Sequence, residues 1–158
     1  MWGDKLSDPR EYGRKTAEAV RPCLPELAGR RRCELSYHLV QVLTSHGCFG
    51  KYLHRIGKEL TTRCHHCPVL MDTALHTLAA CPAWSEERCV LAGAMGRQGG
   101  DISLPRLVQS MCGSEEGWET AASFCKDVMS KEAAEREHRP HSPVAEGDGV
   151  VGVLGRGA

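Results

Sequence analysis

The sequence predicts a mainly α protein: a small helical domain carrying one Cys/His knuckle and ending in a disordered tail. Three observations lead there. Apolar residues recur every three or four positions, as in Leu35, Leu39, Val42 and Leu43, and again in Trp118, Ala121, Ala122, Cys125, Val128 and Met129. Helix start and stop residues bracket those runs, among them Asp8-Pro9, Gly47, Gly57, Ser103 and Gly113-Ser114. Finally, three cysteines and a histidine fall within eighteen residues, Cys64 to Cys81, in a chain of 158 residues whose aromatic share is only 5%. Large side chains for a core are few, so a metal that ties elements together matters more here than in a richer sequence.

In chain order, Asp8 as N-cap and Pro9 at the first helical position open a helix over residues 9–20, which Pro22 and Pro25 should end. Beyond the Arg30-Arg31-Arg32 cluster, residues 33–45 read as an amphipathic helix with Gly47 as C-cap. Phe49, Tyr52, Leu53 and Ile56 mark a second short helix closed at Gly57, expected to pack on the first as a helical hairpin. Its polar side carries Lys51, His54, Arg55 and Lys58. Residues 72–81 read as a short helix with Asp72 as N-cap and Pro82 as stop. Pro82-Ala83-Trp84 begins another, in which Trp84 should cap the small core rather than stack on a ligand. A glycine-rich loop over 96–101 leads to a helix capped by Ser103. A longer helix spans 115–137, and its charged second half, 131–139, should protrude into solvent. From residue 138 the sequence turns to Pro, Gly and small residues without periodicity. The divisions are thus 1–60, 61–84, 85–137 and a tail over 138–158.

The array itself is Cys64-x2-Cys67-x8-His76-x4-Cys81. A Cys-x2-Cys turn lets two sulfurs converge on one tetrahedral ion, and a short helix can present His76 and Cys81 toward that turn. The segment is too short to bury three thiols apolarly on its own. One Zn2+ held by Cys64, Cys67, His76 and Cys81 is therefore expected. His65 and His66, as neighbours of both cysteines, should lie outside the set of ligands. Cys23, Cys33, Cys48, Cys89, Cys112 and Cys125 lack ligand spacing and read as small core residues or exposed spectators.

Composition removes several classes. No stretch approaches the apolar length needed to cross a bilayer. Nine cysteines, an odd count, and a start without an apolar leader point to a reducing interior, nucleus or cytoplasm. Net charge is zero, but up to Cys81 twelve Lys and Arg face eight Asp and Glu, and beyond it the ratio inverts. A basic front suits contact with phosphates.

The stretch Leu43-Thr44-Ser45-His46-Gly47-Cys48-Phe49-Gly50-Lys51-Tyr52-Leu53-His54-Arg55-Ile56-Gly57, followed by the array and Pro82-Ala83-Trp84, resembles the extreme C-terminal region of arthropod non-LTR (LINE-type) retrotransposon polyproteins, downstream of the reverse transcriptase. The likeness covers about residues 2–137. It implies a CCHC zinc knuckle that engages the element's RNA or target DNA, with metal roles on Cys64, Cys67, His76 and Cys81. The eight residues between Cys67 and His76 exceed the four of a retroviral knuckle, so that geometry does not transfer. The paired aspartates of the family's polymerase are absent, and this chain alone should not polymerise DNA.

The reading is a zinc-dependent module that binds RNA or DNA, with Lys51, Arg55, Lys58, Arg63, His65 and His66 toward phosphates. The alternatives are a zinc-stapled protein-interaction module docking onto the remainder of a polyprotein, or a remnant without function. A zinc hydrolase or deaminase is disfavoured: a catalytic zinc keeps a position open for water, whereas this array supplies four protein ligands.

Overall fold

The computed structural model describes residues 13–30, 35–96 and 102–139. Among these the structure is helical with no β-strand: α1 (Arg14–Val20), α2 (Leu24–Gly29), α3 (Tyr37–Thr44), α4 (Gly50–Arg55), α5 (Ala74–Ala79), α6 (Ser85–Ala94), α7 (Leu104–Gly113) and α8 (Glu115–His138). Short 3-10 turns, Arg21–Cys23 and Pro82–Trp84, link α1 to α2 and lead into α6. The Asp8-Pro9 start, Arg31, Arg32, Cys33, most of the glycine-rich loop and nearly all of the tail lie outside the described residues. No helix among those described is long and apolar enough to cross a membrane.

The long helix α8 is the spine, and α3, α6 and α7 all pack on it, while α1 packs on α7. Its buried stripe is Trp118, Ala121, Phe124, Cys125, Val128 and Met129, close to the periodic set in the sequence, with Phe124 added and Ala122 at the margin. Leu39, Val42 and Leu43 of α3, Leu91 of α6, and Leu107, Val108 and Met111 of α7 complete the core. The α7–α8 crossing is close because Gly117 has no side chain: a Cβ there would collide with the Ser110 carbonyl oxygen.

Several expected boundaries shift, each for a local reason. Helix α1 does end at Val20, as expected, but Pro22 and Pro25 each sit in the first turn of a following helical segment, where a missing N–H costs nothing. Helix α3 starts only at Tyr37, with the Ser36 hydroxyl accepting from Leu39 N–H at 3.2 Å, which leaves Leu35 exposed. It ends at Ser45, whose left-handed conformation (φ 58°) takes the place expected for Gly47. The anticipated α3–α4 hairpin is not the main contact, since α3 lies chiefly on α8. Ser103 caps α7 as expected, accepting from Arg106, and Ser114, expected only to break that helix, also caps α8, accepting from Gly117.

Arg30, one of the basic cluster, is not a surface cation. It stacks over Trp118 at 4.1 Å, donates to the Met111 carbonyl and pairs with Glu115 at 2.7 Å, locking the α7–α8 corner. The end of α8 also departs from expectation. Glu132 is buried, and one side of the helix's last turns rests on the knuckle loop instead of standing free in solvent.

Candidate metal centre

The knuckle is built from a loop and a helix that fasten each other. Cys64 N–H donates to Val69 O at 3.1 Å and Asp72 N–H to Thr62 O at 2.7 Å, with the Thr62 hydroxyl on Leu70 O. These bonds fold residues 62–72 back on themselves and hold Cys64 and Cys67 at one end. Helix α5 then brings in His76, and its exit brings in Cys81. The N-cap of α5 is Thr73, accepting from His76 N–H at 3.0 Å, and not Asp72 as the sequence implied.

Asp72 does a different job. Its carboxylate accepts from Gly50 N–H at 3.0 Å and its carbonyl from Lys51 N–H at 2.9 Å, so it caps α4 across the interface. That approach requires glycine at position 50, where a Cβ would lie 2.7 Å from the Thr62 carbonyl oxygen and 2.9 Å from that of Arg63. Burial raises the Asp72 pKa, opposed by the Gly50 hydrogen bond. The C-terminal carbonyls of α5 are held by Arg88, which donates to Cys81 O at 2.6 Å, Leu78 O at 3.1 Å and Thr77 O at 3.4 Å.

The four sequence-predicted ligands come together: the Sγ atoms of Cys64, Cys67 and Cys81 and one nitrogen of His76 all lie within 4.8 Å of one another. Cys64 Sγ and Cys81 Sγ are 3.9 Å apart, and Cys67 Sγ stands 3.3 Å from His76 Nε2. With Zn–S of about 2.3 Å and Zn–N of about 2.0 Å, the edges of a tetrahedron are roughly 3.8 Å for S–S and 3.5 Å for S–N. Both of these distances match that size. His66 N–H points at Cys64 Sγ at 3.4 Å, as a donor would toward a thiolate. With no cation, burial pushes the Cys64 thiol up to about 12 and raises Cys81 as well. A bound cation reverses that logic, because a coordinating thiol is deprotonated outright. The group can thus hold one metal ion.

Of the two histidines beside the cysteines, neither joins the converging group. His65 is on the surface, 3.8 Å from Glu59. His66 turns inward, edge-on to Trp84 at 5.1 Å, with Nδ1 3.4 Å from Glu135 and Nε2 3.8 Å from Glu132. Trp84 is buried, as expected of a residue that closes the core. Burial, helped by the Asp72 charge, lifts the Glu132 carboxyl to about 7; the nearby Trp84 indole opposes this, without forming a well-aligned hydrogen bond. Lys51, Arg55, Lys58 and Arg63 are exposed on α4 and the loops beside it, and the close approach at Gly50 brings Lys51 next to Arg63 along the backbone. The sequence reading missed Asp72 as a bridge, Arg88 as a cap and Glu132 as a buried acid. Only the last carried a signal, falling four positions after Val128 on the buried stripe of α8.

Fold and site define a small, mainly α domain with a Cys3His group able to hold one metal ion. No protein-family model, no curated protein and no solved structure matches the chain.

Proposed function

We propose that this protein is a zinc-dependent nucleic-acid-binding module, a relative of the C-terminal region of non-LTR retrotransposon reverse transcriptase proteins, acting by binding and not by turnover. The observation that carries the reading is the convergence of Cys64, Cys67, His76 and Cys81 within 4.8 Å of one another, a group fastened through Asp72 to a helix whose outer side is cationic. Zinc suits three thiolates and an imidazole. Four protein ligands leave no position for a reacting water. The metal fixes the loop; Lys51, Arg55, Lys58, Arg63 and His65 meet phosphates, and His66 supports the loop from within by its place between Glu132 and Glu135.

The test is fluorescence anisotropy of the zinc-loaded chain with labelled RNA and DNA oligonucleotides across a salt series. Log affinity should fall against log salt with a slope of about 0.7 per phosphate neutralised on single strands and about 0.9 on duplex. Absent or salt-indifferent binding overturns the reading. It would then favour the second one, a protein-docking module, for which Leu60, Leu70 and Met71, each more than half exposed around the same loop, are the supporting observation.

A further inference from the structure

A cleft of about 260 Å3 opens between the start of α1, the end of α3 and the start of α4, and none of the four metal ligands lines it. Four Lys or Arg side chains do, Arg14, Lys15, Lys51 and Arg55, and among the described residues no carboxylate lines it with them. In a chain of zero net charge, such one-signed lining is a local concentration of positive potential. Arg14 is held by Glu18 at 2.8 Å, but that pair is exposed and weakly bound, so it yields readily to a phosphate.

The cleft also has an aromatic wall. His46 and Tyr52 stack with ring centroids 4.7 Å apart and planes 26° from parallel, and the Arg55 guanidinium lies 5.2 Å from the Tyr52 ring centre and 3.3 Å from His46 Nε2. His46 is exposed. The same pair lines a second depression on its other side, which Tyr37, 74% exposed, also borders. Tyr52 thus borders both depressions, the cations lining the first and Tyr37 the second. Aromatic faces beside a cationic groove are what unpaired bases and their phosphates require. A duplex buries its base faces and has no use for the stacked pair.

We infer that this cleft is a single-strand nucleic-acid site, taking one nucleotide with its base against the His46–Tyr52 pair and its phosphates on Arg14, Lys15, Lys51 and Arg55. The inference rests on the nucleic-acid reading above and adds to it the strand type, the aromatic contacts and the contribution of α1. None of His46, Tyr52, Arg14 or Lys15 belongs to the knuckle.

The experiment titrates the zinc-loaded full chain against labelled twelve-nucleotide oligo-dT and oligo-rU, and against a duplex of equal length. The variants are Lys15→Glu/Lys51→Glu, His46→Ala, His46→Phe and, as a control outside the cleft, Lys126→Glu on α8, with circular dichroism confirming that each is folded. The double charge reversal should weaken single-strand binding at least tenfold and reduce the salt slope by about 0.7 for each phosphate no longer neutralised. His46→Ala should weaken it roughly fivefold or more, as removal of a stacking partner does, with little change on duplex. His46→Phe should keep wild-type affinity and Lys126→Glu should change little. Wild-type affinity in the double and His46→Ala variants would overturn the cleft while leaving the nucleic-acid reading intact. Equal weakening in His46→Ala and His46→Phe would overturn the stacking arrangement. No binding by the wild-type chain to any oligonucleotide would overturn both.

Discussion

The Asp72 carboxylate and the Gly50 backbone N–H, 3.0 Å apart and buried, join the knuckle to the helix that carries its neighbouring cations. Residues 22 positions apart thereby serve two structures at once. Asp72 ends the loop that positions Cys64 and Cys67, and it supplies the hydrogen-bond acceptor that α4 lacks at its own start, where Phe49 has no side chain able to cap.

Removing that acceptor leaves a buried donor unpaired. Asp72→Ala should destabilise the chain by about 1–3 kcal/mol, the usual cost of an orphaned buried polar group. Asp72→Asn retains a carbonyl oxygen for Gly50 and has no charge to bury, the burial that raises the aspartate's pKa, so it should cost clearly less. Urea unfolding midpoints at pH 7 decide between them. Equal destabilisation in both variants would mean that the charge, and not the acceptor, holds the two segments together.

A second substitution should invert a general rule. Replacing glycine within a helix by alanine ordinarily stabilises by about 1 kcal/mol. At Gly117, in the first turn of α8, the added methyl group would meet the Ser110 carbonyl of α7. Gly117→Ala should instead cost about 1–3 kcal/mol, the range of overpacked cores. The control is Gly93→Ala on α6, where nothing lies within reach of a Cβ and stabilisation is expected. A stabilised Gly117→Ala chain would show that the crossing is looser than described.

The metal centre gives a third. The zinc-loaded chain should carry one ion, and Cys67→Ser should lose it. Zinc in finger peptides is worth on the order of 10–16 kcal/mol, far more than any single hydrogen bond or ion pair in the fold. Trp84 reports the loss of metal, because it is buried against His66 of the knuckle loop. Chelation should shift tryptophan emission to the red and reduce helical dichroism, and Trp84→Phe should remove most of the spectral shift. An emission spectrum indifferent to chelator would mean that the loop holds its shape without metal.

Much of this was legible in the sequence, because the relevant signals are local. The convergence of Cys64, Cys67, His76 and Cys81, the Ser103 cap, and α8 with most of its buried stripe follow from spacing and periodicity. What the sequence hid depends on residues far apart. Asp72 looks like the cap of its own helix until Gly50 is seen beside it. Arg30 looks like part of a basic patch until Trp118 and Glu115 surround it. Arg88 carries no sign that the carbonyls at the end of α5 await it. The charged end of α8 misled for a related reason. A run of alternating Lys, Glu and Arg reads as solvated on all sides, but a loop that needs support can bury one carboxyl within it.

That carboxyl, Glu132, should show itself in the pH dependence of stability. Burial raises its pKa to about 7 from an ordinary value of 4.5. Below pH 4.5 it is protonated in folded and unfolded chains alike and contributes nothing. Between 4.5 and 7 the folded chain keeps a proton that the unfolded chain has released, so the wild type loses stability as pH rises, by about 1.4 kcal/mol per unit for full ionisation. Above 7 both are ionised and the accumulated penalty is constant. Glu132→Gln has no such penalty and keeps a polar group of the same shape beside the Trp84 indole. Its stability relative to the wild type should therefore grow from about pH 5.5 to 7 and level off by about pH 8, reaching roughly 1–3 kcal/mol. Urea unfolding of both zinc-loaded proteins across that range is the measurement. A flat difference would mean that Glu132 ionises in the folded chain as readily as in the unfolded one, and that burial does not hold its proton.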